Sequence, residues 1–118
     1  GDYVHCLEGA EYGFHDIPPV DRELWTSRLT HTSIAVFSGA STFEPWHVMP
    51  TVYIICEEDR ALPPPIQEQM AEMLSTKWIY RLKSSHSPYL SMPDKVADIL
   101  EELAGKVLPS GAGIAANL

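Results

Sequence analysis

The most regular apolar stretch of the chain is Thr51-Val-Tyr-Ile-Ile-Cys56, β-branched and aromatic at successive rather than alternate positions. Such a run predicts a strand covered on both faces, the kind found in parallel sheets. It stops abruptly at Glu57-Glu58-Asp59-Arg60. Pro63, Pro64 and Pro65 then lead into residues 66–74, where Ile66, Met70, Met73 and Leu74 recur at helical spacing. Trp78-Ile-Tyr-Arg-Leu82 reads as a second strand. After a polar turn, Pro93 and Asp94 open a last helix with Val96, Ile99, Leu100 and Leu103 on one face and Gly105 as its stop.

Upstream the pattern is weaker. Residues 1–13 show no clear period and stay unassigned. Pro18 and Pro19 can open a helix, Asp21 and Glu23 place negative charge in its first turn, and Leu24, Trp25 and Leu29 supply an apolar stripe. Residues 30–33 offer a cap for a second short helix through Ile34 and Phe37 that Gly39 would stop. An aromatic-rich loop from Phe43 to Trp46 follows. From Pro109 to the end the composition is small and flexible, which predicts a fraying tail over 107–118.

Strand, helix, strand, helix is a βαβα unit, and its two strands are expected to run parallel across a helical crossover. In such sheets the loops at the carboxyl ends of the strands share one rim, where ligands bind. Asp59 lies just past the first strand and His86 just past the second. The two are therefore expected to be neighbours. A carboxylate and an imidazole on adjacent carboxyl-end loops can form the orienting half of a nucleophilic triad: the acid accepts the Nδ1 proton, fixes the tautomer and leaves Nε2 free to take a proton from a hydroxyl.

Composition narrows the classes. The chain has 118 residues, 45% hydrophobic, with a net charge of −8. That suits one domain, too apolar for a disordered acidic tail and too acidic for a default nucleic-acid binder. Ten prolines and seven glycines fit many short connections and exclude a long coiled coil. The longest apolar run is far below the ~18 residues that cross a bilayer, so no membrane partner is expected. Cys6 and Cys56 sit in no CxxC or CxxH pattern, which leaves them as reduced thiols and suggests a cytoplasmic protein. His5, His15, His31 and His47 have no ligand spacing, so neither a metal nor another cofactor is expected.

The residues around the two strands resemble a known family. Thr51-Val-Tyr-Ile-Ile-Cys-Glu-Glu-Asp-Arg-Ala-Leu-Pro-Pro, followed by Ser85-His-Ser-Pro-Tyr-Leu-Ser-Met-Pro93, is similar to the C-terminal part of α/β-hydrolase-fold proteins. The closest likeness is to microbial and fungal hydrolases related to plant methyl esterases and hydroxynitrile lyases. The resemblance implies that Asp59 and His86 are the acid and base of a Ser-His-Asp triad. Phe14-His-Asp-Ile-Pro-Pro, Trp25 and Arg28-Leu29 resemble the end of the family's lid, which divides the chain into a lid over 14–50 and a core unit over 51–106. The family's early strands, oxyanion loop and G-x-S-x-G elbow would precede Gly1, which puts about half of the usual domain outside this chain. The fold class expected is thus α/β: parallel strands with crossover helices, a helical lid segment, and no N-terminal half of the sheet.

No nucleophile is assigned. Gly39-Ala-Ser-Thr-Phe43 imitates the elbow, but Phe43 replaces its last glycine and no strand precedes it, so Ser41 is read as a loop residue. Trp25, Phe37, Phe43 and Trp46 are candidates to line a small-molecule pocket under the lid, with plain hydrophobic packing as the alternative. The resemblance implies a parent that hydrolyses a small carboxylic ester or related acyl compound, the chain alone being incomplete or inactive. Because a two-stranded sheet is marginal by itself, the chain is expected to be a truncated product or fragment, completed by the missing N-terminal half or by self-association. A non-catalytic ligand- or partner-binding module is a second possibility. A lyase of the same fold is a third, weakened because Ser87 stands where those lyases carry lysine after the histidine.

Overall fold

The computed structural model describes residues 2–107, so the expected tail lies outside the described residues except for Val107. In chain order the elements are β1 (Tyr3–Val4), α1 (Gly9–Gly13), α2 (Pro19–Ser27), β2 (Thr32–Ser33), 3₁₀ turns at Ile34–Phe37 and Pro45–His47, β3 (Val52–Cys56), α3 (Pro64–Leu74), β4 (Trp78–Leu82), α4 (Pro88–Ser91) and α5 (Pro93–Val107).

The fold is α/β, built on the parallel pair β3–β4 with α3 as the crossover. The register runs from Val52 opposite Trp78 to Cys56 opposite Leu82. β3 is half-buried at its start and buried at Ile55 and Cys56, so its carboxyl end, where the site lies, is the best-packed part of the sheet. Glu57 N–H extends the ladder to Leu82 O at 2.8 Å, and Glu58 N–H reaches Ser84 O at 3.1 Å. The two loops that leave the sheet are thereby zipped together before they diverge.

Several local expectations are corrected. Residues 1–13, left unassigned above, carry short elements: β1 pairs antiparallel with β2, Tyr3 opposite Ser33, and α1 follows. The second short helix is a single 3₁₀ turn, Ile34–Phe37, whose cap is Ser33, its side chain accepting Ala35 N–H at 3.3 Å. A turn of α4, too short to show a period, occupies Pro88–Ser91. Gly105 does not stop α5, which continues to Val107. A glycine in a helix costs only about 1 kcal/mol, and Lys106 in the last turn pairs with Glu102 one turn back and reaches Tyr80 Oη at 3.4 Å. On α3 the apolar stripe Ile66, Met70 and Met73 is exposed, and the buried face is Gln67 and Ala71.

Candidate active site

The site is assembled by the two loops that leave the carboxyl ends of β3 and β4. Asp59 sits in the turn after β3, and its side chain is 2% exposed. One oxygen, Oδ1, accepts the N–H groups of Ala61 (2.8 Å) and Leu62 (2.9 Å), which closes the turn on the carboxylate. The other, Oδ2, accepts Gln67 Nε2–H at 3.3 Å and His86 Nδ1–H at 2.7 Å. A buried carboxylate is costly unless all its lone pairs are engaged; four donors, one of them an imidazole, meet that need here.

Because a carboxylate only accepts, the proton between the two side chains belongs to His86 Nδ1. The remaining ring nitrogen, Nε2, has no hydrogen-bond partner among the described residues, and the side chain is half exposed. The pair can therefore hold an imidazole in one tautomer with its basic nitrogen open to a reacting group.

Gln67, from the buried face of α3, holds the acid's loop to the sheet. Its Oε1 accepts Cys56 N–H at 2.9 Å, and its two Nε2 hydrogens are shared among Leu62 O at 2.7 Å, Cys56 O at 3.0 Å and Asp59 Oδ2 at 3.3 Å. Burial, with the charge of Asp59 nearby, pushes the Cys56 thiol up. Sequence reasoning missed Gln67. The available signal was a polar residue one turn before Ala71, on the same helical face.

The loop after β4 is held from the other side, by residues 13–16. Ser84 and Ser85 are fully buried. Ser85 N–H donates to Asp16 Oδ2 at 2.8 Å and Ser85 Oγ to Gly13 O at 3.1 Å. His15 Nε2 donates to Glu58 O at 2.9 Å, on the acid's loop. Burial would push the Asp16 carboxyl up, but hydrogen bonding from Ser85 outweighs it and leaves the group below the usual carboxylate value.

The four candidate aromatic residues do not share a pocket. Trp25 lines an apolar cavity of about 520 Å³ between α1, α2 and α4, together with Phe14, Arg28, Leu29, Ser87 and Leu90. Trp46 lines a separate recess of about 170 Å³ with Tyr53, Met70 and Met73. Phe37 and Phe43 are 71% and 64% exposed and line neither. Ser41 lies in an exposed loop, its Oγ donating to Phe43 O at 2.9 Å. Among the described residues no three His, Cys, Asp or Glu side chains gather as a metal ion would require, and no helix is long and apolar enough to cross a membrane.

Comparison with known proteins agrees with this architecture. Residues 5–99 match a family described as the alpha/beta hydrolase family. The chain is similar to the alpha/beta hydrolase nvfD of Aspergillus novofumigatus, 32% identical over 83 residues, which covers 70% of this chain and 33% of that protein. It is also similar to the probable hydrolase R7 of a Phoma species, 32% identical over 100 residues, covering 75% and 41% respectively. The crystal structure of polyneuridine aldehyde esterase superposes with a TM-score of 0.71 at 23% identity, over 81% of this chain and 40% of that one. The chain thus spans about a third to two-fifths of the length of the curated relatives it matches.

Proposed function

The chain belongs to the alpha/beta hydrolase family, and on that premise we propose that it carries the acid and base of a Ser-His-Asp hydrolase acting on a small carboxylic ester or related acyl compound. Asp59 orients His86 and stabilises the imidazolium. His86 Nε2 takes the proton from a serine hydroxyl as that oxygen attacks the ester carbonyl, and then returns it to the departing alkoxide. Water repeats the cycle to release the acid. The observation that carries the reading is the 2.7 Å contact between His86 Nδ1 and an Asp59 carboxylate whose other lone pairs are already filled by Ala61, Leu62 and Gln67.

Neither Ser41 nor Ser85 is read as that serine. Ser41 bonds Phe43 O in an exposed loop, and Ser85 bonds Gly13 O. Residues 14–50 would act as part of a lid, and of the four aromatic candidates Trp25, which lines the cavity, would touch the acyl or alcohol moiety. Ser87 lines that cavity as well, a hydroxyl where a lyase of the same fold would place an ammonium. Hydrolysis is therefore favoured over the lyase reaction.

The test is p-nitrophenyl acetate turnover by the translated product of the gene that carries this sequence. His86→Ala and Asp59→Asn should each lower kcat/KM by about 10³-fold or more, and the isolated chain should show no turnover above that of free imidazole. Turnover unchanged in both variants would overturn the reading. The cavity beside Trp25 supports a second reading, a non-catalytic module that binds a small apolar ligand. Binding of such a ligand with no hydrolysis, unaffected by the same two substitutions, would favour it.

A further inference from the structure

We propose that Asp16 is a positioning residue for His86: by accepting Ser85 N–H, its carboxylate fixes the backbone that presents the imidazole to Asp59. The inference rests on the proposed role of the Asp59–His86 pair. Ser85 immediately precedes His86, is fully buried, and has both of its donors spent on residues 13–16. A buried amide must find an acceptor, and the bond that serves this one spans 69 residues of sequence. Among the described residues no group within the loop after β4 meets that amide. Ser85 Oγ in turn accepts Ser87 N–H at 3.4 Å, so the constraint also reaches the peptide that follows the histidine.

The same short stretch of chain also holds the acid's loop, through His15 Nε2 and Glu58 O. Its own shape is maintained by Arg22, whose guanidinium donates to the carbonyls of His15 and Ile17, while Phe14 and Ile17 bury their side chains on either side. The two loops that carry Asp59 and His86 are therefore referenced to one support as well as to the sheet. Such a device matters because a misplacement of about 1 Å at a proton-transfer group can cost about 10² in rate. The carboxylate suits the task better than a neutral acceptor, since a charged acceptor makes the stronger bond to an amide. Hydrogen bonding from Ser85 also keeps Asp16 ionised below the usual carboxylate range despite its burial.

The experiment is NMR on the translated product of the gene that carries this sequence and on its Asp16→Asn and Asp16→Ala variants. Two signals are followed: exchange protection of the Ser85 amide and the lifetime of the His86 Nδ1 proton. Amide protection at Ile54 and Ile55 in β3 serves as the reference for an intact sheet. Asp16→Ala should lower Ser85 protection about tenfold or more and expose the Nδ1 proton to exchange, with β3 unchanged. In Asp16→Asn the carboxamide oxygen can still accept, so protection should fall only about threefold and the Nδ1 proton should persist. The proposal is overturned if Ser85 protection in both variants stays within twofold of the parent, or if the Nδ1 proton is unmoved in Asp16→Ala. Should the alanine variant lose β3 protection, the Ser85 amide in Asp16→Asn decides alone. If the parent shows no Nδ1 proton that depends on Asp59, the catalytic pairing has failed. Ser85 protection still reports the Asp16 contact, and its loss in Asp16→Ala without any such proton would overturn the positioning role.

Discussion

Replacing Gln67 separates the support of the acid's loop from the chemistry of the acid itself. In Gln67→Leu the Cys56 N–H loses its acceptor and Leu62 O loses its donor, while Cys56 O keeps Asp59 N–H at 3.3 Å and Asp59 Oδ2 keeps His86. Two buried backbone groups left unpaired cost about 1–3 kcal/mol each, and the added apolar burial returns about 1–2 kcal/mol, so the net loss should centre on about 2.5 kcal/mol. Gln67→Glu keeps the acceptor for Cys56 N–H but turns a carboxylate oxygen towards Asp59 Oδ2, 3.3 Å from the present nitrogen. Two unit charges at that distance repel by roughly 5 kcal/mol at an effective dielectric of about 20. The introduced acid would therefore have a folded-state pKa above its unfolded value. Its penalty is greatest well above that pKa and is relieved as the pH falls through it. Urea unfolding of the translated gene product, followed by tryptophan fluorescence at pH 8 and pH 5, tests this. The glutamate variant should be the less stable of the two at pH 8 and recover relative to leucine at pH 5. Equal stabilities at both pH values, or a leucine variant as stable as the parent, would refute the argument that Gln67 ties Asp59 to the sheet.

Three further outcomes follow from the same geometry. Because the folded-state pKa of Asp16 is lowered, its stabilisation is present above the unfolded value near 4 and is lost as the pH falls through the folded one. The acid limb of a stability profile below about pH 4 should therefore be shallower in Asp16→Asn than in the parent, as read from circular dichroism. Cys6 is exposed and Cys56 is buried with its thiol pushed up, so a chromogenic disulfide at pH 8 should titrate one thiol per folded chain and two in denaturant. In the translated gene product, combining Asp59→Asn with His86→Ala should slow ester turnover no more than His86→Ala alone, because the two groups act as a unit. Multiplicative losses would show that they act separately.

How far the sequence revealed this molecule depends on the length of each element. β3 and β4 are five residues each, rich in β-branched and aromatic side chains, and stand between clear turn signals. That is enough to mark them as strands and, through the crossover, to bring Asp59 and His86 to one rim. β1 and β2 are two residues each, and pairing of that kind leaves no period to detect. The helices α3 and α5 were legible as helices, but which face is buried was not. On α3 the methionines are largely exposed along a recess with Trp46 and Tyr53, and the buried face is set by Gln67, whose value lies in backbone groups it satisfies across the loop. Asp16 was hidden for a similar reason: a carboxylate that serves an amide 69 positions away looks like any other surface acid. Among the aromatic candidates, Trp25 faces the cavity because α2 carries it there, whereas Phe37 and Phe43 lie in segments with no packed face.

The central claim, that the imidazole at 86 is oriented by the carboxylate at 59, is tested most directly by the ring-nitrogen chemical shifts of His86 in the neutral form. The account predicts the tautomer protonated at Nδ1, and a shift of the population towards the Nε2-protonated form in Asp59→Asn. An Nε2-protonated ring in the parent, or a tautomer indifferent to residue 59, would contradict it.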